Sequence, residues 1–527
     1  MNVPIGDGGE TVFKDQSVLE MIAFKDMWGK QTDSYLHMMF ERLALMNDLL
    51  NENGSICVHC DWHASHHLKI LLSEIFGVEN FRNEIVWWYY NKMQGNVGQF
   101  AANHDVILWF SKTKNFFFEP IREQREKPKQ QQKRVWDPAT KSLKQATDDA
   151  GNLIYYTETE RTLDDVWRIP YLMPADLTEN LKYNTQKPIE LIGRIIDALC
   201  PDNGLVFDGF CGSGTTLAAS DGLRAQRVGD NKKEFYYTSS RRWIGADLGR
   251  FSIHTTRKRM IELQRQLHDN GRPYRAFDVY NLGRYERQWW QKEALKGADN
   301  EHRKVVLSFY KAEELPNPSQ YLHGRKGRAL VYVDGIDSLL TQDEVRAIAK
   351  AAREAGAKEA HCLSWDFEMD LRLVCHEVEA SEGVQMKLIP IPREIMEKNR
   401  TSPPPFLEVA VLEAEPINRK DGSVDIKLTK FLPSLAEVPS KELEALRERT
   451  LKSGFDFIDF WAVDFDYQDG QPFEHHWQDY RTRKDRSLKT TSDEGFKKYP
   501  KPGKYTACVK VVDVFGCDTS ITVDVKV

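Results

Sequence analysis

The residues best placed to do chemistry lie in one run, Phe207-Asp208-Gly209-Phe210-Cys211-Gly212-Ser213-Gly214-Thr215-Thr216, which sets an acid and a Gly-x-Gly turn directly after the apolar strand Gly204-Leu205-Val206-Phe207. Gly212 and Gly214 let the backbone approach a ligand with no Cβ in the way. Thr215 and Thr216 open a helix whose N-terminal amides face the same crevice. That is how an α/β sheet cradles a nucleotide-like ligand. A Gly-x-Gly turn is a weak signal alone, and two neighbours sharpen it: Thr185-Gln186-Lys187-Pro188 upstream, and Trp243-Ile244-Gly245-Ala246-Asp247, a second strand ending in an acid. A carboxylate there can accept from both hydroxyls of a ribose.

The elements that must position these residues are written in the hydrophobic pattern. Leu36, Met39, Phe40, Leu43, Leu45, Met46, Leu49 and Leu50 recur at helical spacing before Gly54. A strand at 55–60, a helix at about 64–76, and two strands at 84–90 and 104–110 follow, the last two antiparallel because their connection is short. Pro188 opens a helix whose Ile189, Ile192, Ile195, Ile196 and Leu199 share a face and which leads into the ligand strand. The polar stretch Asp221–Arg242 reads as a surface loop, with no strand in it.

This order of motifs resembles the β-group amino-methylating DNA methyltransferases, with their D-x-F-x-G-x-G turn, T-Q-K-P and W-I-G-x-D, and most closely the adenine-specific, type III modification-like branch. The N-terminal counterpart is present too: Ser34-Tyr35-Leu36-His37-Met38-Met39, Gly54-Ser55-Ile56-Cys57-Val58-His59-Cys60-Asp61, Glu74-Ile75-Phe76-Gly77 and Asn80-Phe81-Arg82-Asn83-Glu84-Ile85-Val86-Trp87. The resemblance covers about half the chain, from near Asp7 to near Met260. It implies S-adenosylmethionine as cofactor, held by Asp208, Phe210, Gly212, Gly214 and Thr215, with Asp247 on the ribose and Gln186, Lys187 and Pro188 on the carboxylate side or at the helix start. It implies transfer to the exocyclic amine of adenine (N6) in double-stranded DNA within a restriction-modification or defence system. N4-cytosine transfer, a catalytically inactive DNA- or cofactor-binding subunit, and an RNA or small-molecule methyltransferase are the alternatives. Candidate partners are a restriction or helicase subunit and a second copy of the chain.

One departure from the family stands out. Its (Asp/Ser/Asn)-Pro-Pro-(Tyr/Phe) tetrapeptide is absent before the glycine turn, so the catalytic residues are unassigned and the chain as given is expected to transfer no methyl group. Ser402-Pro403-Pro404-Pro405-Phe406 carries similar letters but reads as a proline-rich connector.

The remaining candidates are weighed by charge and geometry. Residues 122–144 hold eight Arg or Lys (Arg122, Arg125, Lys127, Lys129, Lys133, Arg134, Lys141, Lys144) against three acids, a local +5 in a chain of net charge -6. A DNA contact through Arg125, Lys129, Lys133 and Arg134 and a solvated, partly disordered insert at 119–165 both account for that. Arg481, Arg483, Lys484, Arg486 and Lys489 beside Trp477 and Tyr480 form a second basic patch, open to the same two readings. His59, Cys60, His63, His66 and His67 do not converge as a metal site needs: strand alternation parts His59 from Cys60. Of Trp87, Trp88, Tyr89 and Tyr90 at least two belong to the core, and an aromatic at the following loop could stack a flipped base.

At 527 residues the chain has room for three or four domains. The expected architecture is α/β: a Rossmann-like S-adenosylmethionine-dependent methyltransferase sheet at 1–265, a connector at 266–315, a second small α/β domain at 316–430 and a C-terminal antiparallel β-sandwich at 431–527. Thr341-Gln342-Asp343-Glu344 supplies a capping box in the small domain. Eight dispersed cysteines favour free thiols, and no apolar run or secretory pattern stands in the sequence, which points to a cytoplasmic protein without membrane contact.

Overall fold

The computed structural model describes residues 2–527 apart from 14–31, 93–97, 99, 177, 184, 229–231, 281–286, 289, 292–294, 296–298, 369–370, 397–405, 407–409, 434–453, 469–470, 472, 483–484 and 493–496. Contacts divide it into two units, one of residues 22–276 and one in which 1–21 join 277–527. The first domain boundary therefore falls near residue 22, not at residue 1. Hairpin β1 (Asn2–Ile5) and β2 (Glu10–Phe13) belongs to the second unit: Val3, Ile5 and Val12 are buried, the Gly6 amide donates to the Asp456 carbonyl at 2.9 Å, and Arg486 donates to the carbonyls of Pro4 and Gly6.

In the 22–276 unit, α1 (Thr32–Leu49) and α2 (Ser65–Phe76) flank β3 (Ser55–Cys60), followed by β4 (Phe81–Trp88) and β5 (His104–Ser111). Tyr35, Met38, Met39 and Leu43 line one face of α1, and Leu68, Leu72 and Phe76 one face of α2. Both faces meet Val106, Leu108 and Phe110 from one side of β5. The other side of β5, with Ile107, packs with Ile85, Trp87 and Leu191. Each buried leucine stabilises this core by roughly 1.5–3 kcal/mol. Strand β5 is antiparallel to both β3 and β4, as the short connection requires.

The 119–165 insert is not disordered. It is built of β6 (Arg122–Gln132), β7 (Arg134–Asp137), β8 (Ser142–Gln145) and β9 (Tyr155–Thr162), with β6 antiparallel to β9 and β7 to β8. Strand β10 (Val166–Arg168) then returns parallel to β4. Helix α3 (Ile189–Leu199) precedes β11 (Leu205–Asp208), α4 (Thr215–Ser220), β12 (Leu223–Val228), β13 (Lys232–Tyr237), β14 (Arg242–Gly245) and α5 (Arg250–Asp269). Strands β11 and β14 are parallel, with Asp208 opposite Gly245. The expected loop at 221–242 is instead an antiparallel hairpin, β12 against β13 from Leu223↔Tyr237 to Val228↔Lys232.

The second unit continues with α6 (Asp299–Tyr310), β15 (Glu313–Glu314), β16 (Gly324–Lys326), β17 (Ala329–Val333), β18 (Leu339–Leu340), α7 (Gln342–Glu354), β19 (Glu359–Ser364), β20 (Asp366–Phe367), α8 (Leu371–Glu382) and β21 (Gln385–Pro390). Strands β17, β19 and β21 are parallel neighbours, and Thr341 and Glu344 cap α7 reciprocally. Two antiparallel sheets follow. One joins β22 (Val411–Asn418), β23 (Ser423–Leu432) and β26 (Lys497–Lys498); the other orders β25 (Trp477–Tyr480), β24 (Ile458–Asp464), β27 (Lys504–Asp513) and β28 (Asp518–Lys526). A boundary at 431 would cut through β23. No helix of the described residues is long and apolar enough to cross a membrane.

Candidate functional site

The glycine turn joins β11 to α4. Gly212 and Gly214 take φ of +50° and +71°, and a Cβ on Gly214 would lie 2.8 Å from both Cγ2 and Oγ1 of Thr256. Both positions therefore exclude a side chain by conformation, and Gly214 also by space. The turn is tied to the neighbouring strand through main chain, Ala246 N to Asp208 O at 2.9 Å and Cys211 N to Ala246 O at 3.0 Å. Asp208 accepts from the Phe210 amide at 3.0 Å. Asp247 accepts from the Gly212 amide at 2.9 Å and from the Gly249 amide at 2.8 Å, so its carboxylate shapes the turn as well as edging it.

Burial pushes both carboxyls above their ordinary range; Thr216 and the Phe210 amide oppose this at Asp208, and the Gly249 and Gly212 amides at Asp247. Among the described residues neither acid has an ion-pair partner. Two partly desolvated carboxylates without a cation suit a ligand that brings positive charge of its own. Burial also lifts the Cys211 thiol to about 12, which removes it as a nucleophile. Phe210 is half exposed at the rim.

The upstream tetrapeptide splits in use. Gln186 is buried and closes its own loop, accepting from Leu181 N at 2.7 Å and donating to Glu179 O at 2.9 Å. Pro188 sits at the N-cap of α3. The Lys187 carbonyl accepts from Thr215 Oγ1 at 3.3 Å, and the charge of Lys187 acts on His59 and Asp105. Thr215 is itself buried, its hydroxyl turned to Lys187 and to Arg259.

Further side chains brace the turn without belonging to any of the motifs above. Thr256 donates to Gly212 O at 2.9 Å, Arg259 donates to Ser213 O at 3.1 Å, and Ser252 meets the Tyr183 hydroxyl at 2.8 Å. Residues 252, 256 and 259 share one face of α5, so a polar i, i+4, i+7 stripe was the available signal. Buried Glu179 accepts from the Ile189 amide at the start of α3 and pairs with Lys233 at 2.5 Å.

Across Lys187 from the turn, His59 Nε2 lies 3.1 Å from Asp105 Oδ2, and the Tyr89 hydroxyl donates to Asp105 Oδ1 at 3.3 Å. Burial and the Lys187 charge lower the His59 imidazole below its ordinary value, against the pull of Asp105. Burial would raise Asp105, but its bond to His59 and the charges of His59 and Lys187 hold it below the usual carboxylate range. His63 instead pairs with Asp61 at 3.0 Å, and His66 stacks near His67. Trp87 and Tyr89 are buried, whereas Trp88 and Tyr90 are partly open and carry Arg168 against their rings.

The insert as a whole is nearly neutral, nine Arg or Lys against ten acids over 119–165. Arg125 is spent on Glu158 at 2.5 Å and Arg161 on Glu123 at 2.5 Å, while Lys144 pairs with Asp137. Lys129, Lys133 and Arg134 have no ion pair among the described residues, and Trp136 and Leu143 stand opposite each other and exposed. Two members of the second basic patch are committed within the fold: Arg481 is buried against the carbonyls of Ile458, Phe455 and Arg486, and Arg486 holds the N-terminal hairpin. Arg483, Lys484 and 402–405 lie outside the described residues.

Residues 14–242 match the family model of the N6/N4 methyltransferases, described as DNA methylase. This stretch is thus similar to the DNA methylases. It is similar to the type II methyltransferase M.EcaI of Enterobacter cloacae, 27% identical over 279 residues, 43% of this chain and 57% of that protein. It is similar also to the Mod subunit of the type III restriction-modification enzyme StyLTI of Salmonella typhimurium, 23% identical over 270 residues, 40% of this chain and 41% of that one. Among solved structures it aligns with the M1.HpyAVI-SAM complex at 19% identity and a TM-score of 0.28, over 46% of this chain and 94% of that chain. The chain spans about half the length of the curated relatives it matches. The matched stretch takes in the glycine turn and ends just before Asp247.

Proposed function

We propose that this protein is a site-specific DNA methyltransferase that moves a methyl group from S-adenosylmethionine to the exocyclic amine of adenine (N6) in duplex DNA, as part of a restriction-modification or related defence system. The observation that carries this reading is the glycine turn of the matched stretch, with left-handed Gly212 and Gly214 beside two half-buried carboxylates, Asp208 and Asp247, that have no ion-pair partner among the described residues. A sulfonium cofactor with an ammonium group fits that charge. Asp208, Phe210, Gly212, Gly214 and Thr215 would hold it, with Asp247 on the ribose edge and Lys187 toward its carboxylate; Gln186 and Pro188 would act by shaping the loop that carries Lys187.

When bound, the cofactor supplies an electrophilic methyl group. The protein's part is to hold the amine in line with it and to exclude water, because the amine's lone pair is delocalised into the ring and attacks poorly in solution. The two-stranded ribbon β6–β9, with Lys129, Lys133 and Arg134 unpaired, is the element offered to the DNA backbone, since a groove admits such a ribbon. A partner restriction subunit is consistent with the likeness to a type III Mod subunit. The antiparallel sheets after residue 410 we read as a β-sandwich that follows a small α/β domain. The test is titration calorimetry of the full chain with S-adenosylmethionine, followed by titration of duplex DNA. Binding lost on Asp208→Ala and Asp247→Ala supports the reading, and no binding by the parent chain refutes it.

A further inference from the structure

The hairpin of β7 and β8 is mounted on the ribbon through main chain: the Ala146 amide donates to the Lys133 carbonyl at 2.8 Å and the Ile154 amide to the Ala146 carbonyl at 2.9 Å, with Ala146 buried. Its turn is braced by Asp137, which accepts from the Ala139 amide at 2.9 Å and the Thr140 hydroxyl at 2.8 Å. Residues directly opposite in an antiparallel pair share a face, and side chains alternate along each strand. The register therefore puts Arg134, Trp136, Leu143 and Gln145 on one face and Val135, Asp137, Ser142 and Lys144 on the other, where Asp137 and Lys144 pair. On the first face Trp136 and Leu143 stand opposite each other, 60% and 61% exposed. A cross-strand pair that only stabilised its hairpin would spend its surface on its partner, and these two offer most of theirs outward. Residues 133–145 hold four Arg or Lys against one acid, and Lys133, Arg134 and Lys141 have no ion pair among the described residues.

A braced hairpin that is basic and displays an apolar pair fits a polyanion with apolar points within its grooves. Duplex DNA has that chemistry: its major groove, about 12 Å wide, admits a two-stranded ribbon, and the 5-methyl of thymine is the apolar group among its base edges. We propose that the face bearing Trp136 and Leu143 enters the major groove and reads thymine methyl groups, with Lys133, Arg134 and Lys141 on the neighbouring phosphates. The proposal rests on the proposed function and deepens it, since it gives the recognised site at least one thymine in contact with the hairpin. Selectivity follows from the same two side chains. A thymine methyl against them leaves water, whereas cytosine presents an amino donor that neither an indole nor an isobutyl group can accept.

The probe is a pool of synthetic duplexes with a randomised core, enriched by binding to the full chain and then copied with deoxyuridine in place of thymidine, which removes the 5-methyl groups and keeps the pairing. Expected is about four- to fifteenfold tighter binding of the thymidine form, the worth of one or two buried methyl groups. Trp136→Ser should shrink that ratio to within about twofold, because the apolar partner of the methyl is gone, while the salt dependence set by the phosphate contacts persists. The proposal is overturned if the parent chain binds neither form, if it binds both alike, or if Trp136→Ser keeps the parent's ratio. A Trp136→Ser chain that keeps the ratio but sediments differently without DNA would give this face to a second copy of the chain, which also overturns it. The comparison of the two DNA forms uses the parent chain, so it decides even if the variant does not fold. Calorimetry with S-adenosylmethionine on the same preparation keeps the two readings apart: cofactor bound and both DNA forms held alike refutes the thymine contact and leaves the methyltransferase reading in place.

Discussion

Gly214→Ala tests how the glycine turn is held. The added methyl would sit 2.8 Å from Oγ1 and Cγ2 of Thr256, and the backbone would have to keep φ at +71° with a side chain present. The left-handed conformation costs an L-residue about 1–2 kcal/mol. Thr256 cannot simply rotate away, because it is β-branched and its hydroxyl donates to Gly212 O at 2.9 Å. Moving it gives up a hydrogen bond worth about 0.5–1.5 kcal/mol. A total near 2–3 kcal/mol, drawn from the turn's bound conformation, corresponds to a roughly thirty- to hundred-and-fifty-fold weaker affinity for S-adenosylmethionine. Calorimetry on the full chain measures it. In a Thr256→Ala background the hydrogen bond and the closest contacts are already gone, so the same glycine change should cost about 1 kcal/mol less. Affinity of Gly214→Ala within twofold of the parent, or equal cost in both backgrounds, would refute this account of the turn.

Two further outcomes are expected. Lys129→Gln, Lys133→Gln and Arg134→Gln together should lower duplex DNA affinity and flatten its dependence on salt by close to three phosphate contacts, while Arg125→Gln, already paired with Glu158, should do far less; equal salt slopes for all variants would show that the ribbon is merely solvated. Asp208→Asn should alter stability against pH, because burial raises the folded carboxyl above its ordinary value of about 3.9. The protonated acid is the form the fold prefers, so stability is fullest below that ordinary value and is lost as pH rises through the raised one. Thermal melting of the parent should therefore fall more than that of Asp208→Asn as pH rises above about 4, and parallel curves would exclude a desolvated carboxylate at 208.

The parts of the fold legible in the sequence were those buried on one side. Helices α1 and α2 and strand β3 follow from apolar spacing, and Thr341 announces its capping box. The ribbon β6–β9 was not legible, because strands wet on both faces carry no alternation of apolar and polar residues, and the hairpin β12–β13 was not, because β12 buries the charged Arg224 next to Ala225. Cross-strand pairs such as Arg125 with Glu158 and Arg161 with Glu123 stand in for a core there, and they join residues more than thirty positions apart. At the site the glycines and both acids could be named from their spacing. That Asp247 holds the Gly212 amide, and that Thr256 and Arg259 brace the turn, depends on how α5 is laid against it, and local sequence does not state that.

The hairpin β1–β2 has a consequence in time. Its buried Val3, Ile5 and Val12 and its hydrogen bonds to Asp456 and Arg486 join residues made early in translation to residues made some 450 positions later. At roughly 5–20 residues per second the hairpin waits about 20–90 s for its partner surface. Residues 22–276 form an uninterrupted unit and can close during that interval. The unit that closes last is thus the one that holds residues 2–13, and slow elongation or an early stop leaves two short apolar strands uncovered after residues 22–276 are complete, a standing invitation to chaperone capture or to pairing with another nascent chain.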